Sequence, residues 1–532
     1  MRTAIPRGNQ SSLCKMICSD MGISLAIFAV SVALRTSYLV LSVPNGSPTG
    51  GHVDIWGDGV HMWLLSYLTA KNNFFYTDLR PNGLQLIWLP LHPMITAFTM
   101  KLTGIYSLEV IRTLSLFYGS MTAVVVYYTA KLIFNEKKHV ALAAGLGLAF
   151  NAWWIATNSE GVVESLLALV LSLLAYYWIK GNRVATAFFI LVAGFVKYEG
   201  WVITFMFILG DLVIHRSSKK TKVALIIAWV IPILVWSGWS YYLTGDPIAW
   251  YITQKHFLDW DIAIIGKPSD PMAIFYYPRL MLVMTGGLFA VSCFLAVKRS
   301  GHVRVLVAIA LAYLIIRSIG YTLGQSLPLE RYIVILIPLT YLLAVWPLPA
   351  TMQTRRNRIA YAGALLIIIV IPFVTEITRF QNMSYIYNPE MRAGIWLQNH
   401  YEGGVVVSDL PTTIGYAYPD PSPERFLSAA VVYDEFTKHG SSLTWLYEYF
   451  SKHQVTYFVL YNVPYSASGH LENVPRSMLR INEGSDSYYF KLVYSDTAQN
   501  PRYWEHQYGI PDLFIYTVDY GDYWLQPGSL PS

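Results

Sequence analysis

The sequence predicts a multi-pass α-helical membrane protein of about eleven transmembrane helices, followed by a C-terminal extracytoplasmic α/β domain. Three observations predict it. Of 532 residues, 54% are hydrophobic, 15% aromatic and only 13% charged, where soluble domains carry about 25% charge. Apolar stretches recur at spacings that suit a bilayer-crossing helix of roughly 20 residues. The charge is also split. Residues 1 to 376 hold 29 Lys+Arg against 16 Asp+Glu, whereas residues 377 to 532 hold 9 against 16.

The stretches fall at 22–43, 106–134, 139–157, 162–179, 184–196, 201–215, 223–243, 275–297, 304–323, 331–347 and 359–376. The fifth and sixth are short and meet at Lys197-Tyr198-Glu199-Gly200, so they read either as two helices or as one broken one. With eleven spans, the connections holding Lys137 and Lys138, Lys180 and Arg183, Arg216 to Lys222, Lys298 to Arg304, and Arg355 to Arg358 all share one side. Basic loops stay cytoplasmic. Arg2, Arg7 and Lys15 put the N-terminal tail, residues 1–21, on that side, and an odd number of spans places the acidic 377–532 domain outside the cell membrane. The first apolar run is long, carries Arg35 and lacks a small-residue cleavage pattern, which argues against a signal peptide.

One outer loop, residues 44–105, is far longer than the rest of the connections in 22–376. Its apolar runs, Val60 to Ala70 and Leu84 to Leu102 with Pro90 and Pro93, are too short or too interrupted to cross. They carry Trp, Tyr and Lys suited to the headgroup layer, and read as interfacial helices. A second outer loop spans residues 244–275. In the C-terminal domain, helices at 390–400 and 443–453 alternate with strands at 404–408 and 455–461, and strands at 490–494 and 513–518 follow; this is an α/β order.

Several function classes are excluded or unsupported. The acidic C-terminal part and the lack of a Lys/Arg-rich run argue against nucleic acid. Cys14, Cys18 and Cys293 form no CxxC pair and no zinc pattern. The sequence has no GxxxxGK[ST], GxGxxG before a helix, HExxH or GxSxG, so direct use of a nucleotide has no support.

Carboxylates near a bilayer are costly and tend to serve function, and here they collect on the predicted outer side. Asp54 and Asp58 lie at the start of the long loop, Asp58 directly before a helical run where it also suits an N-cap. Glu160 and Glu164 flank the turn after Asn158-Ser159, where a helix N-terminus favours them. Glu199 stands two residues from Lys197, and Arg331 opens the tenth span within Leu327-Pro328-Leu329-Glu330-Arg331-Tyr332. Each has a bland reading as loop residue, helix start, ion pair or snorkelling anchor.

Together with this layout, Gly57-Asp58-Gly59, Trp88-Leu89-Pro90-Leu91-His92-Pro93, Asn158-Ser159-Glu160, Lys197-Tyr198-Glu199-Gly200-Trp201 and Glu330-Arg331-Tyr332 resemble patches in the GT-C glycosyltransferases. The similarity is to archaeal and other prokaryotic members related to dolichyl-phosphate-mannose protein mannosyltransferases and aminoarabinose transferases. Two departures stand out. Asp58 is followed by Gly59 rather than the Glu of the mannosyltransferase Asp-Glu pair, and Lys197 stands where related archaeal sequences often have Arg.

The resemblance implies inverting transfer of a sugar, mannose-like, from a polyprenyl (dolichyl) phosphate donor to an acceptor hydroxyl of a glycan, lipid or protein at the outer face. It implies Asp58 as the base, Arg331 as the phosphate ligand with Lys197 second, and Glu160 and Asp54 orienting acceptor or sugar. Glu199, Tyr332 and His92 are the further candidates for substrate binding. These residues single out no cofactor, and Asp54, Asp58 and Glu160 offer oxygen ligands of the kind Mg²⁺ or Mn²⁺ takes. A transporter or flippase is the rival reading, carried by Arg35, Arg112, Arg279 and Arg317 in or near spans. It lacks the internal repeat such folds show. An adhesion protein displaying the outer domain would leave the outer carboxylates unexplained.

Overall fold

The computed structural model describes residues 19–41, 58–72, 86–134, 138–214, 218–265, 271–297, 301–344, 387–408, 442–462, 490–497 and 512–518, with a few isolated positions besides. Ten of the eleven apolar stretches coincide with helices: α1 (Asp20–Leu41), α4 (Glu109–Ile133), α5 and α6 (Lys138–Ala149, Ala152–Thr157), α7 (Glu164–Lys180), α8 (Arg183–Val196), α9 (Tyr198–Ile214), α10 (Lys219–Thr244), α12 and α13 (Tyr276–Met284, Leu288–Val297), α14 (His302–Thr322), and α15 and α16 (Arg331–Val334, Ile337–Ala344). The eleventh, 359–376, lies outside the described residues apart from Val374. Two short helices, α2 (Asp58–Asn72) and α3 (Leu91–Thr103), occupy the long loop, and α11 (Ala249–Ile265) the second one.

Among the described residues four helices are long and apolar enough to cross a membrane: α1, α4, α10 and α14, of 22, 25, 26 and 21 residues. The stretch at 275–297 is a fifth only if its two helices, bent by 104° at a break near Thr285 to Gly287, count as one. The other apolar stretches are shorter than a straight crossing needs because polar breaks interrupt them. Asn151 caps α6 by accepting from the Trp154 amide, and Lys197 is a single extended residue between α8 and α9. At 197–200 the chain thus forms two helical segments parted by one extended residue. A Cβ on Gly200 would sit 2.3 Å from the Ala193 carbonyl oxygen of α8, and one on Gly194 would sit 2.6 Å from Pro232 of α10.

Ion pairs fasten one end of the bundle. Asp20, at the start of α1, meets Lys131 at 2.7 Å and Lys138 at 3.4 Å, and Arg183 at the start of α8 pairs with Asp211 near the end of α9. These groups flank the basic connections. Tyr38 and Arg35 lie near the far end of α1, about 1.5 Å per residue away from Asp20.

The C-terminal part contains helix α17 (Tyr387–His400), strands β1 (Val405–Val407) and β2 (Phe426–Leu427), helix α18 (Leu443–Lys452), and strands β3 (Val455–Asn462), β4 (Phe490–Thr497) and β5 (Asp512–Val518). The five strands form one sheet in the order β2-β1-β3-β5-β4, parallel from β2 to β3 and antiparallel from β3 to β4. Alternate side chains of a strand take opposite faces. One face, with Phe458, Phe490 and Tyr516, packs with Leu446 and Phe450 of α18. The other, with Val459, Leu513 and Ile515, joins Ala393 and Leu397 of α17 in a core that also holds Val60, Leu64, Leu65 and Leu68 of α2. Arg392 of α17 is bidentate to Asp496 of β4, which fixes that helix on the sheet. Helix α2 thus has ten of its fifteen residues buried, because both the sheet domain and α3 and α4 cover it.

Candidate active site

The site is assembled at the end of the bundle remote from the Asp20 and Asp211 ion pairs. Asp58 is the first residue of α2, where its carboxylate is favoured by the helix dipole. Arg331 is the first residue of the four-residue α15. The two side chains form an ion pair, with 17% and 14% of their side-chain surface exposed. Gly161 helps bring the parts together. With φ of +81° it turns the chain after Glu160, and a Cβ there would stand 3.5 Å from the Cα of Gly59.

From Asp58 a line of alternating charges runs into the bundle. Arg331 Nε lies 3.9 Å from Glu164 Oε1, Lys197 Nζ is 2.6 Å from the same oxygen and 3.4 Å from Glu199 Oε1, and Arg317 closes the line on Glu199. Three carboxylates and three cations therefore share one chain of contacts. Opposite charges at hydrogen-bond distance are what permits ionised groups to stay buried. Local structure supplies the geometry: Glu164 opens α7, Lys197 is the extended link between α8 and α9, and Glu199 lies in the first turn of α9.

Tyr332 lies between two of the cations. Lys197 Nζ is 5.2 Å and Arg317 Cζ 4.2 Å from its ring centroid, within reach for cation–π attraction. Tyr313 hydrogen-bonds from its hydroxyl to the Tyr332 carbonyl at 3.0 Å and accepts from Arg317 Nε at 3.1 Å. The arrangement thus presents a half-buried edge at Arg331 and Asp58 and a more deeply buried electrostatic support behind it.

The remaining candidates lie elsewhere. Glu160 is buried and its Oε1 accepts from the Tyr38 hydroxyl at 3.0 Å. His92 is buried in α3 with its ring 6.3 Å from that of Tyr118, and burial pushes its pKa down to about 4, so it is neutral. Asp54 lies outside the described residues. The structure thus brings Asp58, Arg331, Lys197, Glu199 and Tyr332 into one network, places Glu160 beside it through Gly161, and sets His92 against Tyr118.

Two members of the network are not among the sequence-derived site residues. Glu164 is visible in sequence only as a helix-start carboxylate, and Arg317 only as one of four arginines in or near spans. An arginine in a span that needs a carboxylate partner is a signal, but without the fold nothing pairs Arg317 with Glu199 rather than with another acid.

No group of three His, Cys, Asp or Glu side chains among the described residues has metal-binding spacing. Asp58 is engaged by Arg331, and Glu160 by Tyr38.

No protein-family model matches the chain, and no curated protein does. Solved structures do. ArnT from Cupriavidus metallidurans, an aminoarabinose transferase seen bound to undecaprenyl phosphate, is 14% identical with a TM-score of 0.60, over 93% of this chain and 98% of its own. The oligosaccharyltransferase AglB from Archaeoglobus fulgidus, in complex with an inhibitory peptide and a dolichol-phosphate, is 11% identical with a TM-score of 0.52, over 82% of this chain and 69% of its own. The same archaeal enzyme in complex with zinc and sulfate gives 12% and 0.51, over 81% and 67%. The helical bundle with its C-terminal sheet therefore shares the fold of ArnT and of AglB.

Proposed function

We propose that the chain is a GT-C glycosyltransferase that moves a sugar from a polyprenyl-phosphate donor to an acceptor hydroxyl on the extracytoplasmic side. The observation that carries this reading is the Asp58–Arg331 pair. A carboxylate and a guanidinium stand together at one end of a bundle whose fold is that of transferases seen with undecaprenyl phosphate and dolichol-phosphate.

The reaction needs a base, a cation and a support. The acceptor oxygen attacks the anomeric carbon, Asp58 takes the hydroxyl proton, and the bond from that carbon to the phosphate oxygen breaks, so the electron pair leaves with the lipid phosphate. Arg331, with its planar fork, binds the phosphate and stabilises the charge that grows on it. Lys197 reaches the same region through Glu164, and Glu199 and Arg317 hold Lys197 and Tyr332 in place. Glu160 and Asp54 orient the acceptor or the sugar. A mannosyl-like donor is what the resemblance to the dolichyl-phosphate-mannose protein mannosyltransferases implies, and no step is routed through a metal.

The purified protein in detergent, given a hexose-linked polyprenyl phosphate and hydroxyl acceptors, should release bare polyprenyl phosphate and form a glycoside of inverted anomeric configuration. Movement of the intact donor across proteoliposomes without cleavage would favour a flippase and overturn this function.

A further inference from the structure

Beside Asp58 are two ring nitrogens that the catalytic reading leaves unused. His61 follows Asp58 by three residues on α2, which puts both on one side of the helix, a turn apart. Its Nε2 is buried and has no hydrogen-bond partner. The ring meets Trp88 edge to face, with centroids 6.0 Å apart, and the Trp88 indole Nε1 is likewise buried without a partner. Buried polar atoms in folded proteins nearly always have partners, and leaving one unmade costs about 1–3 kcal/mol. Two such atoms on adjoining rings, one of them on the helix that opens with the proposed base, mark a place where something else supplies the partner.

The chemistry of the pair separates it from the phosphate end of the site. Arg331, Lys197 and Arg317 are cations. The indole is a neutral donor, and the imidazole is neutral too, since burial pushes the His61 pKa down to about 4. A neutral imidazole donates from one nitrogen and accepts at the other, whereas the indole donates only and ligates no metal. Neutral N–H groups beside an aromatic surface suit a hydroxyl-bearing ring with an apolar C–H face, not a phosphate. Trp88 is also well anchored, packing against both the bundle core and the core around α2, so its N–H is held in place before a ligand arrives.

We propose that His61 and Trp88 form the subsite for the sugar ring of the donor, each bonding a sugar hydroxyl, and that they determine which sugar is accepted. This inference rests on the polyprenyl-phosphate reading and adds to it the residues that recognise the part beyond the phosphate.

The test compares two ligands on the full chain in detergent: bare polyprenyl phosphate, and polyprenyl phosphate carrying each of a panel of hexoses. In the wild type at least one hexose-linked lipid should bind more tightly than the bare lipid. Trp88→Phe keeps the ring and removes only the N–H, and His61→Leu removes both nitrogens. Each should cut that increment by about 3- to 10-fold, the loss of one neutral hydrogen bond, while affinity for the bare lipid stays within about twofold. Both variants should also change the ranking of the hexoses in transfer.

An increment that Trp88→Phe and His61→Leu both leave intact overturns the subsite, as does equal weakening of bare and linked lipid, which marks a structural role. A wild type that binds every hexose-linked lipid no better than the bare one overturns it too. Failure of the underlying reading looks different, because Arg331→Ala would then leave affinity for the bare lipid unchanged.

Discussion

The Asp58 carboxylate is paired with the Arg331 guanidinium, so the proposed base and the proposed phosphate ligand neutralise each other before a donor binds. A phosphate arriving at Arg331 competes with Asp58 for the same fork, and its binding would free the carboxylate for the acceptor. Asp58→Asn removes that competitor together with the proton acceptor. Turnover should fall by roughly 10² or more, while bare polyprenyl phosphate binds at least as tightly as to the wild type. A folded Asp58→Asn protein with near-normal transfer would return Asp58 to a helix cap and shift the base to Asp54 or Glu160.

Arg331 gives the complementary result. Arg331→Ala should weaken donor binding and slow transfer, and it leaves Asp58 without its cation, so stability should drop as well. Arg331→Lys should restore the charge but only part of the activity, since an ammonium cannot reproduce a two-pronged contact. Titration of bare polyprenyl phosphate against the three proteins separates these effects, and equal affinities would make Arg331 a membrane anchor.

Glu199 is the hinge of the buried charge network, because Lys197 and Arg317 both contact its Oε1. Glu199→Gln leaves two buried cations facing a neutral amide. Breaking a buried pair this way typically costs about 3–5 kcal/mol. The melting temperature in detergent should fall sharply, and adding Arg317→Met should recover part of the loss. If the two substitutions are simply additive, the network does not act as a unit.

The apolar helices are legible in the sequence because long apolar runs favour helix, although only four of those described are long and apolar enough to cross, and the C-terminal elements are legible because strand and helix patterns differ in period. What sequence could not give was pairing. Arg331, Lys197 and Glu199 are each visible as charges at predicted span ends and Asp58 as a charge in the long outer loop, but their order along one line of contacts depends on how α2, α7, α9 and α15 meet. His61 was invisible for a related reason: inside an apolar run a lone histidine reads as packing, and only the proximity of Trp88 shows its nitrogen to be unmatched. Burial of α2 was missed since its cover comes from a sheet at the opposite end of the chain.

His61 and His92 predict a pH dependence of stability. Both have folded pKa values near 4, lowered by burial from an ordinary 6.5. Below 6.5 the unfolded chain takes up protons that the folded protein refuses, so stability is full above that value and declines as pH falls toward 4. Melting temperature measured from pH 7.5 to 4.5 should decrease, and His61→Leu should flatten the slope over this window. An unchanged slope in both His61→Leu and His92→Leu would show that neither ring is held neutral by burial.

The placement of the charges predicts an orientation that can be tested. The connections rich in Lys and Arg adjoin the Asp20 and Asp211 ion pairs, and the Asp58–Arg331 site stands at the other end with α2 covered by the C-terminal sheet. The positive-inside rule leads us to propose that the basic end is cytoplasmic and that the site and the sheet lie outside, where an acceptor would be supplied. Glu448 is exposed on α18 and is a suitable reporter. With Cys14, Cys18 and Cys293 replaced, the three cysteines of the sequence, a single Glu448→Cys should react with a membrane-impermeant thiol reagent on intact cells. Labelling only after lysis would reverse the topology, and the acceptor would then have to be sought among cytoplasmic molecules.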